Sequence, residues 1–143
     1  MKTRSALAIL LVCLFSLPSC SKQDQSGNPT PPNAEQINDL FQLVIDFEPL
    51  QKHYHPEVAG RDTLCLVVAT DSLQLELTEH GVPVRIMHGV DECYNSLIVR
   101  TFAYSADTAT FILGYDLANV ICKQVYQWTG DGWRLADSHM IER

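Results

Sequence analysis

Hydrophobic positions along this chain change period several times, and each change predicts a different kind of structure. Met1 to Cys20 holds one unbroken apolar run, Ala6 to Phe15, behind Lys2 and Arg4. Ser21 to Pro32, SKQDQSGNPTPP, has three prolines, one glycine and almost no apolar surface, so burial cannot offset its ordering entropy and it reads as a tether. From Asn33 to Glu48, Ile37, Leu40, Phe41, Val44 and Phe47 recur at helical spacing, which predicts an amphipathic helix. Asn33 with Gln36 forms a capping box at its start, and Pro49 ends it.

Beyond an irregular connector, Leu50 to Gly60, the short apolar run Asp62 to Ala69 predicts a buried strand. The next stretch carries two conflicting signals. Leu73, Leu75 and Leu77 alternate as in a strand, while Asp71 with Gln74 makes a second capping box, Gly81 a C-terminal cap, and the Leu, Gln and Glu content of Ser72 to His80 favours helix. The helix is the reading adopted here. Val82 to Met87 is a strand with Pro83 at its start or on an edge, and His88 to Asn95 is a loop.

From Ser96 the pattern becomes an antiparallel meander: SLIVRTFAY, TATFILGY, LANVICKQVYQW and GWRLADSHMIE, with turns at residues 105–107, near Asp116, and at 129–132. Ala109, Phe111, Leu113 and Tyr115 share one face; Trp133, Leu135 and Ile141 share another. One face packed and one solvated is the usual meaning of such alternation. The expected fold is therefore α+β, an N-terminal helix packed on a curved, mainly antiparallel sheet, in one domain spanning residues 33–143.

The N-terminal run has the three parts of a secretory signal and is too short for a spanning helix of about 20 residues. Leu17-Pro18-Ser19-Cys20 resembles the lipobox of bacterial lipoproteins. That resemblance implies cleavage after Ser19, a diacylglyceryl thioether on Cys20, an acylated amine, and anchoring by several chains where one would be marginal. The chain as a whole resembles small lipoproteins of Gram-negative envelopes, and its last 50 or so residues look like the end of cystatin-like and NTF2-like domains. These likenesses place it in the cell envelope at the outer membrane and leave the face it occupies open.

Cleavage removes Lys2 and Arg4, so the mature chain carries 8 basic against 17 acidic side chains, a balance of −9. A surface of that sign repels phosphate backbones and anionic headgroups, which argues against nucleic-acid binding and leaves membrane contact to the lipid. Cys65, Cys93 and Cys122 remain in a compartment that permits disulfides. One bridge in any of three pairings, or three buried thiols, are the options.

The candidate chemistry is sparse. His53 and His55, with Glu57 nearby, are metal-ligand types, but no second pair with ligand spacing follows them. Tyr126, Trp128 and Trp133 flank a hairpin turn and offer either a cross-strand aromatic pair or a stacking platform for sugar rings. Asp137 and His139, two apart on the last strand and read as facing the same way as Trp133 and Leu135, have a spacing that permits acid/base work. Asp91-Glu92 reads as a solvated pair. There is no GxSxG elbow, phosphate-binding glycine loop, HExxH or CxxC, and no cofactor is implied. The leading expectation is a non-enzymatic module that binds an envelope protein partner or a small ligand; the alternatives are a small NTF2-like hydrolase or lyase, and glycan or metal capture.

Overall fold

The computed structural model describes residues 31–89, 93–105 and 107–143. The expected signal peptide, Cys20, all but the last two residues of the tether, and the Asp91-Glu92 pair lie outside the described residues.

Helix α1 (Ala34–Ile45) begins with the predicted capping box: Asn33 Oδ1 accepts the Gln36 N–H at 2.8 Å and Gln36 Oε1 accepts the Asn33 N–H at 2.9 Å. It stops at Ile45, short of the predicted Glu48. Continued to Pro49, the helix would lack the N–H for the Ile45 carbonyl, and the proline ring would clash with that carbonyl. The chain breaks at an extended Phe47, and Pro49 instead lies in the first turn of a one-turn helix, α2 (Glu48–Gln51).

Among the described residues eight strands follow: β1 (Cys65–Val68), β2 (Thr78–Glu79), β3 (Val82–Pro83), β4 (Arg85–His88), β5 (Ser96–Ser105), β6 (Thr108–Tyr115), β7 (Val120–Trp128) and β8 (Trp133–Glu142). Six form an open sheet in the order β4-β1-β5-β6-β7-β8, while β2 and β3 pair as a separate small hairpin. The predicted meander is present as β5 to β8, antiparallel throughout, whereas β1 runs parallel to both β4 and β5. The fold is α+β with a mainly antiparallel six-stranded sheet.

The helix expected over Ser72 to His80 does not form. The segment is extended, with Leu73 and Leu75 half-buried and Leu77 buried while their neighbours Gln74, Glu76 and Thr78 are exposed. Leucines at every second position share one side only in an extended chain, and burying all three outweighs the local preference of Leu, Gln and Glu for helix. Its backbone is served by α1: the Asn38 amide bonds both the N–H and the carbonyl of Glu76, and the Gln42 amide does the same for Thr78.

Ala109, Phe111, Leu113 and Tyr115 are all fully buried on one face of β6. Phe41 of α1 meets Phe111 edge-on at 5.1 Å and Phe102 at 5.2 Å, and Trp133 Nε1 donates to the Gln36 carbonyl at 3.0 Å.

Two bulges change which residues face α1. In β5, Val99 pairs with Leu113 but Thr101 with Ile112, so Arg100 is an extra residue and the inward set switches from Leu97 and Val99 to Phe102 and Tyr104. In β8, Leu135 pairs with Tyr126 but Asp137 with Val125, which makes Ala136 the extra residue. A strand alternates with period two, so one inserted residue reverses every side chain beyond it. Ile141, Asp137 and His139 therefore stand on the face opposite Trp133 and Leu135, contrary to the sequence reading.

Candidate functional site

The β1–β5 ladder ends at the Val67–Ile98 pair. Immediately beyond it β5 bulges at Arg100, and the chain leaving β1 turns toward α1 as the Leu73 segment. These two departures open a wedge. It is a cavity of about 250 Å³ walled by Phe41, Val68, Leu73, Val99 and Phe102, with Ala69, Thr70 and Arg100 completing the lining. Those last three are exposed and mark its mouth. The walls are apolar because each comes from the inward face of its element; Phe102 is additionally stacked on Phe111 at 4.8 Å.

Arg100 brings no charge to the mouth. It lines the opening from the bulge, but its guanidinium is turned to the sheet face away from α1, where it covers Gly114, and its Nη2 lies 3.2 Å from Asp116 Oδ1. Thr70 Oγ1, 2.8 Å from Ser72 Oγ, supplies the mouth with a hydroxyl group.

A buried polar cluster lies at the other end of β1. Cys65 and Cys93 form a disulfide and Cys122 remains a buried thiol, the one-bridge option among those the sequence left open. Asn95, 2 % exposed, accepts the Tyr115 hydroxyl at 2.6 Å and donates to the Arg61 carbonyl at 2.9 Å. Burial pushes the Tyr115 and Tyr54 hydroxyls and the Cys122 thiol up from their ordinary values, so none of them is an ionised nucleophile at neutral pH.

The sequence-nominated residues are dispersed. His53 Nε2 faces Glu142 at 3.5 Å while His55 Nδ1 faces Glu57 at 3.0 Å, so the two imidazoles serve different partners. Among the described residues no three His, Cys, Asp or Glu side chains gather as a metal-binding group. Asp137 and His139 are exposed. Trp128 and Trp133 do meet across the hairpin, ring centroids 5.4 Å apart at 68°, but the edge-on geometry is that of an aromatic pair. Trp133 and Tyr126 are buried, and the Tyr126 hydroxyl is shared between the Leu43 carbonyl at 3.1 Å and Gln124 Oε1 at 2.8 Å. Neither presents a ring face to solvent.

Sequence reasoning missed the wedge altogether. Its one signal was the break of apolar phase in SLIVRTFAY, odd positions at Leu97 and Val99 and even ones at Phe102 and Tyr104, which requires an inserted residue between them.

No protein-family model, no curated protein and no solved structure matches this chain.

Proposed function

We propose that this protein is a lipid-anchored module of a Gram-negative cell envelope, held at the outer membrane through Cys20 and spaced from it by the tether that ends at Pro32. Its domain captures a small ligand or an envelope protein and performs no chemistry on it. The observation that carries this reading is the ordered series Lys2 and Arg4, Ala6 to Phe15, and Leu17-Pro18-Ser19-Cys20, followed by a proline-rich spacer. The Cys65–Cys93 bridge supports it, because such bridges persist in oxidising compartments.

On the same reading α1 covers the concave side of a curved sheet, as in NTF2-like domains. The contacts of Phe41 with Phe102 and Phe111, and of Trp133 with the Gln36 carbonyl, support that arrangement. Binding is favoured over hydrolysis because Asp137 and His139 stand in solvent on the far face from α1 and do not line the apolar wedge.

Expression of the full chain in a Gram-negative host, followed by mass spectrometry of the N-terminal peptide, tests the anchor. The expected result is a peptide beginning at an acylated Cys20, and release of the Cys20→Ser protein from the membrane fraction. A chain retaining Met1 with an unmodified Cys20 would overturn the proposal.

A further inference from the structure

The wedge beyond the Val67–Ile98 pair has the attributes of a binding site for one kind of molecule. Its volume, about 250 Å³, exceeds the roughly 150 Å³ of an engineered apolar cavity known to take up benzene, and approaches the lower end of natural ligand pockets, about 300 Å³. Two of its walls are the Phe41 and Phe102 rings, 5.2 Å apart at 68°. An incoming ring meets such a pair edge-to-face or offset, the arrangements aromatic groups prefer.

The lining also says what is refused. Arg100, the one ionic residue among its described lining, holds its guanidinium on the opposite sheet face, paired with Asp116 at 3.2 Å, so a charged ligand would enter an apolar cavity without a free partner. The mature chain's surplus of acidic side chains further disfavours anions. At the mouth, the Thr70 hydroxyl is placed to bond one polar substituent left at the opening.

The space is a consequence of backbone design. The Arg100 bulge turns β5 away just as β1 ends, and bulges are frequent beside binding sites, where they re-aim side chains. Here the bulge directs both Val99 and Phe102 inward, where unbroken alternation would have sent Phe102 to the opposite face.

We infer that the wedge walled by Phe41, Val68, Leu73, Val99 and Phe102 binds a small uncharged aromatic molecule, ring inward and polar edge at Thr70. This rests on the reading of the protein as a binding module and specifies its ligand class. The binding is reversible, and no group of the ligand is transformed.

The test uses mature protein, residues 20–143, with Cys20→Ser so that no acyl chain competes for apolar space. Toluene, phenol and indole are titrated while methyl signals of Val68, Leu73 and Val99 are followed by NMR, with octanoate and glucose as contrasts. The expected result is saturable, ring-current-shifted signals at those three residues for the aromatic probes only. Thr70→Phe, which plugs the mouth from an exposed position, lowers affinity at least about tenfold, and Ala69→Leu does the same should Thr70→Phe fail to fold. Shifts that never saturate, that scatter over the surface, or that persist undiminished in the plugged variants would overturn the inference. Saturable binding of octanoate in preference to indole would overturn it as well, in favour of an aliphatic site. Binding by a chain whose Cys20 proves unacylated would sink the anchor and leave the site standing; an acylated chain that ignores all three aromatic probes would do the reverse.

Discussion

Asn38 and Glu76 exchange a reciprocal pair of hydrogen bonds: the Asn38 side-chain amide donates to the Glu76 carbonyl at 3.1 Å, and the Glu76 N–H donates to Asn38 Oδ1 at 2.8 Å. Gln42, one turn along α1, repeats the pattern on Thr78 at 2.8 and 3.0 Å. Four helical residues advance about 6 Å and two strand residues about 6.6 Å, so the two amides match the strand's repeat. The face of α1 thus acts as the edge that a neighbouring strand would otherwise supply. Asn38→Ala removes two partly solvated bonds, and the expected loss is about 1–2 kcal/mol. Amide exchange should quicken at Glu76 more than at Thr78, with Gln42→Ala showing the opposite order. Equal protection at Glu76 in the wild type and Asn38→Ala would refute the clamp.

The Tyr115 hydroxyl serves a side chain that has almost no access to water. Asn95, 2 % exposed, receives it at 2.6 Å, and Tyr115→Phe leaves Asn95 Oδ1 without its donor while preserving the ring contact with Tyr54 at 5.6 Å. An orphaned buried acceptor costs about 1–3 kcal/mol. Urea unfolding should show a lower midpoint at unchanged slope, since little surface changes; a midpoint equal to that of the wild type would rule out this role.

The Cys65–Cys93 bridge closes a loop across 28 positions, joining the start of β1 to the segment that enters β5. Chain-entropy reasoning for a loop of that length gives roughly 3–4 kcal/mol. Reductant, or Cys93→Ser, should lower the unfolding free energy by that amount, while Cys122→Ala in the oxidised protein keeps the sensitivity to reductant. Loss of that sensitivity on Cys122→Ala would mean that the bridge involves Cys122 instead.

Local signals with one interpretation were legible in the sequence: the Asn33–Gln36 capping box, the β5 to β8 meander, and the inward set on β6. What escaped was decided by contacts far along the chain. Residues 72–80 carry a helix composition, yet Asn38 and Gln42, more than 30 positions earlier, give their backbone the partners that extended chain needs. The bulge at Ala136 was missed because Leu135 and Ile141 keep the same parity, which conceals an inserted residue between them; only Met140, half-buried on the even phase, betrays it. The wedge was illegible for a related reason, since it is made where β1 and β5 part company and no single segment encodes it.

The Ala136 bulge makes a direct prediction for the two residues it redirects. Asp137→Ala and His139→Ala, both exposed on the face opposite Trp133, should each change stability by no more than about 0.5 kcal/mol. They should also leave aromatic-probe binding at the wedge untouched. A larger loss in either would show that the far face has a partner within the protein.

Glu79 supplies the pH dependence. Its side chain is only 5 % exposed, with Oε1 3.0 Å from Nε2 of His80, and this oxygen accepts no well-aligned hydrogen bond. Burial raises its carboxyl above the ordinary glutamate value, His80 opposes that rise, and Asp46 near the end of α1 adds to it. The folded protein therefore holds this proton more tightly than the unfolded chain, whose glutamates titrate near about 4.3. By linkage, the contribution to stability is fully present below that unfolded value and is lost as pH rises through the raised folded one. Glu79→Gln removes the penalty of a buried charge. At pH 7.5, where the wild-type carboxylate is charged in the fold, the variant should melt higher than the wild type. At pH 4, where Glu79 is protonated in the fold, the two should nearly coincide. A variant that melts lower at pH 7.5, or whose advantage is the same at both pH values, would mean that the contact with His80 outweighs burial and that Glu79 is a stabilising charge.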